Sequence, residues 1–401
     1  MKIGILEWIC GGGMQDTEPT QIAESLLNEG WAMLDAVAQD FVSCGHEVTA
    51  CIDERLLKKL HLSDAASTRV SSWLTHQSEA EPQRQCVPRQ SLGTRTNGGG
   101  DQREASELPY SWWTVASKVD AVVVIAPEFS SILQTAISKL KPICKLLLNC
   151  GGDFLAASCD KWLTADRLDS ARINHPATQL VCDVTERWLE QHRNRSRRWI
   201  IKPRDGAGCD AIQLVSDESV RDVLSAIRVS DSNWRMIIQP QHNGAAFSRS
   251  AIVDSAGRAH WLPLVTQEFT GADSIVYSGG RVLVVNNSHY EDTLNAKRYS
   301  IDRLDKVLNA TIGALGLGAH GWVGVDLLSS EDLDDWLVIE VNPRLTTSFT
   351  GLSMSHGPGL MEHMVRAGQG VEVAIEPTWK SIAFNSEGKI NHLDLPINPN
   401  A

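Results

Sequence analysis

Three oxygen-bearing side chains near the end of the chain have the spacing of a metal site. The run 322–344 alternates apolar and polar residues on both sides of a polar turn at 329–335, which predicts a hairpin. Asp326 and Glu340 then lie nearly opposite each other, with Asn342 two positions further along. Carboxylates held across a ladder repel each other unless a cation lies between them. We therefore predict an Mg2+ site that bridges substrate phosphates; the alternative is a solvated face with a chance carboxylate pair.

The apolar residues of the same hairpin predict how it packs. Side chains alternate across a strand, so every second residue is expected to face the core. The predicted core face consists of Val323, Val325 and Leu327 on the first strand and Leu337, Ile339 and Val341 on the second.

The segment 199–215 is typical of a strand, a glycine-rich turn and a second strand. Lys202 stands near the end of the first strand, where an ammonium can reach phosphate oxygens. The glycine-rich turn includes Gly206, Ala207 and Gly208, and its N–H groups could cradle a phosphate. The alternative is an Asp-Gly hairpin beside an ordinary edge lysine. No helix-opening Gly-Lys-Ser/Thr follows, so this is not a Walker loop.

The segment 236–253 predicts a hinge between two lobes. An apolar strand runs into a polar stretch with Pro240 and Gly244, and a new strand begins near Ala246. The exposed amides and carbonyls of such a linker suit a planar base, and a plain interstrand loop is the alternative.

In this order and spacing, the three segments resemble the ATP-grasp superfamily. Its members phosphorylate a carboxylate with ATP and then let an amine or another nucleophile displace the phosphate. The resemblance covers about residues 160–350 and implies ATP and Mg2+ (or Mn2+) as cofactors. It further implies small-molecule carboxylate and amine substrates, and it is compatible with a homodimer.

Site roles carry over from the resemblance position by position. It implies catalytic roles for Lys202 on the nucleotide phosphates and Arg344 beside the acyl phosphate. The remaining implied contacts are Lys161 on a phosphate or the adenine, Gly206, Ala207 and Gly208 over the nucleotide, Gln239 on the adenine amino group, Gln241 and His242 through their backbones, and Asp326, Glu340 and Asn342 on the metal. Many relatives place a glutamate for the ribose where this chain has Ala246.

The N-terminal segment resembles a narrower branch of the superfamily. The run Leu-Glu-Trp-Ile-Cys-Gly-Gly-Gly at 6–13, with Glu29-Gly30, Met33-Leu34 and 53–55, looks like the branch that holds the tyramine–L-glutamate ligase of methanofuran biosynthesis. The resemblance implies joining of glutamate to an amine such as tyramine. A D-alanine–D-alanine-like or cofactor glutamate ligase and a non-catalytic ATP-binding sensor are the alternatives.

Two segments supply candidate substrate contacts. One is the turn after the first strand, where Glu7 could receive an amine and backbone N–H groups of Gly11 and Gly12 could meet a ligand. The other directly follows the metal ligands, and its hydroxyls could bind the carboxylate substrate, with a simple Ser/Thr turn as the alternative: Thr346, Thr347 and Ser348.

The predicted fold class is α/β and α+β. A parallel α/β domain at 1–150 precedes a two-lobed ATP-grasp domain, with its small lobe at 151–242 and its large lobe at 243–390. The N-terminal domain is expected to hold strands at 2–8, 46–52, 119–126 and 144–149 and helices at 25–44 and 130–139. A segment at 79–109, rich in Gly, Pro, Gln, Arg and Ser, is expected to be a mobile insertion.

Composition narrows the functional classes. The chain has 401 residues, enough for two or three domains, and a net charge of −12 that argues against nucleic-acid binding. Its nine cysteines include no Cys-x-x-Cys pair, which favours a reducing cytoplasm. We expect no signal peptide and no membrane partner, since the chain enters a strand at once and no apolar run approaches the roughly 20 residues that span a bilayer.

Overall fold

The N-terminal domain is a parallel α/β layer, as predicted. The computed structural model describes residues 1–57, 59–60, 108–206, 212–229, 233–271, 275–284, 301–330, 335–375 and 379–393. Its first sheet has the order β2-β1-β3, with both pairs parallel. The elements are β1 (Lys2–Glu7), α1 (Glu24–Ser43), β2 (Glu47–Ala50), α2 (Tyr110–Lys118), β3 (Ala121–Ile125) and α3 (Ile132–Leu140). All five residues of β3 are buried, as expected for a parallel strand covered on both faces.

One expectation for this domain lies outside the described residues, and another needs correction. Residues 79–107 of the predicted insertion lie outside the described residues, and 108–109 lead directly into α2. The predicted strand at 144–149 is reduced to one parallel bridge between Val122 and Leu147. Beyond that bridge the Asn149 carboxamide takes the place of a ladder, because it accepts from the N–H and donates to the carbonyl of Val124, both at 2.8 Å.

The small lobe is a four-stranded antiparallel sheet of order β4-β7-β5-β6. Its elements are β4 (Gln179–Leu180), α6 (Glu186–His192), β5 (Arg198–Pro203), β6 (Gln213–Ser216), α7 (Val220–Arg228) and β7 (Met236–Pro240). Two helices precede it, α4 (Gly152–Ser158) and α5 (Lys161–Ser170). The small lobe was predicted to begin at 151, yet Phe154 and Leu168 of these helices pack into the core of the large lobe.

The large lobe is a seven-stranded antiparallel sheet of order β12-β11-β8-β9-β10-β13-β14. Its elements are β8 (Gly244–Val253), β9 (Ala259–Thr270), β10 (Val276–Val282), α8 (Ile301–Ala314), β11 (Gly321–Ser330), β12 (Asp335–Asn342), α9 (Ser348–His356), α10 (Leu360–Gly368), β13 (Ile382–Asn385) and β14 (Ile390–Leu393). In the part of the chain that the structure describes, no helix combines the length and apolarity needed to cross a bilayer.

A β-bulge changes the predicted core face of the hairpin. Asp326 pairs with Glu340, but the next residue pairs with Val338, so Ile339 is an extra residue on β12. An extra residue reverses the alternation beyond it. The core cluster therefore takes Trp336, Val338 and Val341 from this strand. The predicted Leu337 is also fully buried but lies outside that cluster, whereas the predicted Ile339 is only partly buried.

The N-terminal domain and the last helices of the large lobe share one hydrophobic core, which includes Phe41, Leu352 and Met361. A polar contact reinforces this docking. Asp40 of α1 is buried, and its carboxylate accepts from the N–H groups of Leu360 and Met361 at 3.2 and 2.8 Å. Burial raises the pKa of Asp40, and the N–H groups of α10 counter part of that effect.

The hydrogen bonds of Asp40 to α10 predict how much this contact contributes to the stability of the protein. Asp40→Ala leaves the first N–H groups of α10 without their acceptor, and we expect a loss of about 1–3 kcal/mol in the free energy of unfolding. Asp40→Asn retains an acceptor oxygen and should lose less. Urea unfolding of both variants checks the order; an alanine variant as stable as the asparagine variant would contradict it.

Candidate active site

The register of β11 and β12 places two carboxylates face to face. Asp326 pairs directly with Glu340, and Asn342 pairs with Gly324, so the predicted pairing of the carboxylates is confirmed. Asp326 accepts from Gln267 Nε2 at 2.9 Å and from Asn342 Nδ2 at 3.0 Å. Burial, and then the negative charge of Glu340, raises the pKa of Asp326 to about 6. The two ionised carboxylates therefore repel each other, and a cation that contacts both would relieve this repulsion.

The donor set fits a hard divalent cation. Within the described ranges, no group of three or more His, Cys, Asp or Glu side chains could hold a metal. A metal here would draw on Asp326, Glu340 and the carboxamide of Asn342, together with substrate oxygens, a mixture that suits Mg2+. The Asn342 amide donates to Asp326, and a flip of its side chain would present oxygen instead.

Lys161 joins the glycine-rich turn to this carboxylate pair. Its Nζ lies 2.9 Å from Glu340 Oε1 and donates to the carbonyl of Gly206. It is the first residue of α5, whose N-cap Asp160 accepts from two backbone N–H groups of the first turn. Burial alone would lower the pKa of Lys161, but the charge of Glu340, its hydrogen bond with Lys161 and the charge of Glu128 together outweigh burial, and the pKa is raised. A buried, permanently charged ammonium thus lies beside the predicted metal ligands.

Arg204 fixes the position of Lys161. Its guanidinium binds the Asp160 carboxylate through Nε at 3.1 Å and also through its second amino group. Its carbonyl accepts from the N–H of Lys161 at 2.8 Å. The end of β5 and the start of α5 are therefore held together from both backbone and side chains.

The other predicted nucleotide contacts lie on β5 and the hinge. Lys202 is buried near the end of β5, where it pairs with Ile237 of β7. Gln239 is buried and donates its amide to Thr178 Oγ1 at 2.8 Å. Ala207 and Gly208 lie outside the described residues, while Gly206 is described.

The backbone contact predicted for Gln241 needs correction. Its N–H donates to the carbonyl of Arg198 at 2.9 Å. Its carbonyl accepts from Asn194 and from Ser196, the latter at 2.7 Å. A carbonyl has two lone pairs, so both backbone groups of Gln241 are already used inside the small lobe. This leaves His242 as the predicted backbone contact at the hinge.

Arg344 makes a bidentate ion pair with Glu128, which the sequence analysis did not identify. The Nε–Oε1 and Nη2–Oε2 distances are 2.7 and 2.8 Å, and the Glu128 side chain is only 2% exposed. Burial would lower the pKa of Arg344, but Glu128 raises it above its ordinary value, with Glu29 and Glu340 adding to the effect. Glu128 follows the carboxyl end of β3, a position where ligands bind in α/β sheets, and that signal could have indicated it.

The hydroxyl segment after Arg344 contacts α1. Thr347 Oγ1 donates to Glu29 Oε1, and Thr346 Oγ1 lies 2.9 Å from Ser348 Oγ. Thr347 and Ser348 are buried, and Ser348 opens α9. Glu29 is a second acidic residue near Arg344 that the sequence analysis did not identify.

In the glycine turn after β1, the Glu7 carboxylate and the Gly11 N–H, both predicted to meet a ligand, make hydrogen bonds within the turn. The N–H groups of Ile9 and Cys10 donate to the two carboxylate oxygens of Glu7, at 3.0 and 2.6 Å, and burial raises the pKa of Glu7 to about 7. Gly11 donates its N–H to the Glu7 carbonyl, and a Cβ on Gly11 would lie 2.2 Å from that oxygen. Gly12 is buried with a φ of +92°. Glu7 and Gly11 are thus occupied within their own turn.

Comparison with known proteins agrees with this geometry. Residues 158–348 match the family model described as an ATP-grasp domain. The tyramine–L-glutamate ligase of Methanocaldococcus fervens is 22% identical over 270 residues, which are 67% of this chain and 72% of that protein. An ATP-grasp superfamily protein from Archaeoglobus fulgidus superposes with a TM-score of 0.58 at 19% identity, covering 96% of this chain and 92% of its own. An L-amino acid ligase from Bacillus licheniformis does so with a TM-score of 0.54 at 13% identity, covering 95% and 78%.

The strained carboxylate pair predicts an unusual pH dependence. The folded pKa of Asp326 is raised, so the protonated form favours folding; this contribution is complete below about pH 4 and is lost as the pH rises through about 6. At pH 7 without divalent ions, Asp326→Asn should therefore raise the free energy of unfolding by roughly 1–2 kcal/mol, and the gain should shrink toward pH 4.

Urea unfolding in EDTA at both pH values measures this difference, with Glu190→Gln, an exposed carboxylate on α6, as the matched control. Adding MgCl2 should stabilise the wild type and leave Asp326→Asn unchanged. A variant that is less stable than the wild type at pH 7 in EDTA contradicts the electrostatic strain.

Proposed function

Since residues 158–348 form an ATP-grasp domain, the chain is an ATP-dependent ligase, and we propose that it joins a carboxylate to an amine through an acyl phosphate. One observation carries this proposal. Lys161 binds both the Gly206 carbonyl and Glu340, so the glycine-rich turn lies next to the two facing carboxylates. Arg344 follows Glu340 by four residues in the sequence.

The described side chains suit transfer of the terminal phosphoryl group of ATP. Lys161 and Lys202 would hold the nucleotide phosphates, and Arg344 would spread the charge that develops on the transferred group. When bound, Mg2+ held by Asp326, Glu340 and Asn342 would neutralise phosphate oxygens. The chain thus contributes positioning and electrostatics rather than a covalent nucleophile.

The bonds change in two steps. A substrate carboxylate oxygen forms a bond to the terminal phosphorus while the phosphorus–oxygen bond to the departing ADP breaks. The amine nitrogen then bonds to the acyl carbon, the carbon–oxygen bond to phosphate breaks with its electrons on phosphate, and the amine loses a proton. Arg344 would bind the anionic acyl phosphate between these steps.

Charges around Arg344 favour an amino acid as the carboxylate substrate. The guanidinium can meet a carboxylate, while Glu29 and Glu128 lie close enough to raise its pKa. Carboxylates beside a cationic site suit a ligand that carries an ammonium as well as a carboxylate. Glutamate has this chemistry, and the likeness to a tyramine–L-glutamate ligase supports glutamate with an amine such as tyramine. The hydroxyls of Thr346, Thr347 and Ser348 are the proposed additional contacts.

The proposal is tested by measuring ADP formation with glutamate and other acids. Hydroxylamine is a small nucleophile that converts an acyl phosphate to a coloured hydroxamate, so it replaces the unidentified amine in a first screen. A panel of amines that includes tyramine then identifies the amide product. Tight ATP binding without ADP formation in any combination would favour a nucleotide sensor instead.

We expect Glu340→Gln and Lys202→Ala to lower hydroxamate formation by about 100-fold or more, because the first removes the charge of a proposed metal ligand and the second removes a cation proposed to hold the nucleotide phosphates. Glu190→Gln and Lys118→Ala, which change exposed residues elsewhere, are the matched controls and should retain full activity. Circular dichroism establishes that the variants fold. A folded Glu340→Gln protein with wild-type turnover contradicts the metal assignment.

A further inference from the structure

We propose that the turn 128–131 of the N-terminal domain is a brace between the two lobes, with Glu128 and Asp205 as positioning residues. The inference rests on the proposed function and extends it, since it explains how Arg344 and the phosphate-binding Lys161 keep their places relative to each other.

The brace contacts a different lobe at each end. At one end, Glu128 holds both nitrogens of the Arg344 fork from the large lobe at 2.7 and 2.8 Å. At the other end, the backbone N–H of Ser130 donates to Asp205 Oδ2 at 3.0 Å. Asp205 directly follows Arg204 and precedes Gly206, so it stands at the end of β5 in the small lobe. The two contacting residues, Glu128 and Ser130, are thus only two positions apart in the sequence.

The backbone of the brace is strained. Ser130 has φ 52° and ψ 25°, and Ser131 has φ 57° and ψ 24°, both in the left-handed region. Two consecutive non-glycine residues in that region are costly, and such a conformation persists where its surroundings fix it. Glu128 is fixed by Arg344 on one side, and Leu133 of α3 is buried and donates its N–H to the Pro127 carbonyl on the other. In this conformation the Ser130 N–H donates to Asp205.

These contacts close a ring. Asp205 is followed by Gly206, whose carbonyl binds Lys161; Lys161 binds Glu340; and Glu340 stands four residues before Arg344 on the same chain segment. Arg344 returns to Glu128 and the brace. A ring has no free end, so a displacement at one contact is opposed by all the others. The three parts of the chain are in this way held in one arrangement around the predicted site.

The ring gives Asp205 a function that its half-buried position outside the predicted site does not suggest. Asp205 is not one of the predicted metal or carboxylate contacts. Its proposed effect on the nucleotide phosphates is indirect, since it precedes Gly206, whose carbonyl binds Lys161. Loss of the Ser130–Asp205 bond should therefore weaken the hold on the nucleotide without removing any group that touches it. It should also lower the fraction of acyl phosphate that reaches the nucleophile, because Arg344 and Lys161 would no longer keep a fixed relation.

The experiment measures release of a fluorescent ADP analogue by stopped flow in MgCl2. Asp205→Ala should release the nucleotide about threefold to tenfold faster, the effect of losing one hydrogen bond. Asp205→Asn retains an acceptor oxygen and should stay close to the wild type. Asp222→Ala, an exposed aspartate on α7 of the same lobe, is the matched control and should not change the rate. The second readout is hydroxamate formed per ADP, which should fall only in Asp205→Ala.

Equal release rates for Asp205→Ala and the wild type would overturn the proposal. So would equally fast release from Asp205→Ala and Asp205→Asn, since that would assign the effect to charge rather than to the hydrogen bond. These failures leave the proposed function intact, because the wild type still binds and turns over ATP. A wild type that binds no nucleotide would instead refute the proposed function and this inference with it.

Discussion

The repulsion between Asp326 and Glu340 is the constraint on which the site depends. The register of β11 and β12 places the two carboxylates opposite each other, and the chain adds a buried lysine to one of them. Burial, and then the charge of Glu340, raises the pKa of Asp326, so the ionised pair lowers stability when no further cation is present. A fold tolerates such a cost where the charges serve a ligand, and here the missing positive charge is what a bound divalent cation would supply.

The elements that depend on local residue patterns could be predicted from the sequence. Alternation of polar and apolar residues predicted the hairpin and the pairing of its carboxylates, and alternating strands and helices predicted the parallel N-terminal sheet. The same pattern failed at Ile339, because one inserted residue reverses the face of every residue beyond it without changing composition. It failed again at 144–149, where the Asn149 side chain makes the hydrogen bonds to Val124 that a paired strand would have made through its backbone.

Long-range polar contacts were the least predictable part of the site. Glu128 and Arg344 are 216 positions apart, and Glu29 and Thr347 are 318 apart, so no local spacing relates them. The glycine turn shows the opposite error. A triple glycine after a strand suggested a ligand contact, but the Glu7 carboxylate accepts from Ile9 and Cys10, and the N–H groups of Gly11 and Gly13 donate to backbone carbonyls of the same tight turn. Glycine permits a close backbone approach, and the approaching group here is the chain itself.

The buried ion pairs of the site are better understood as determinants of geometry than as sources of stability. Desolvation of two charges offsets most of their attraction, so a pair such as Glu128–Arg344 adds little to the free energy of folding. Its bidentate form nevertheless fixes the plane of the guanidinium, which a point charge could not do. Lys161 is held in the same way, by Glu340 on one side and a backbone carbonyl on the other. Reactions that proceed by positioning and electrostatics need charges in fixed places before the substrates arrive, and the ion pairs meet that need because each cation is bound by a partner from a different part of the chain.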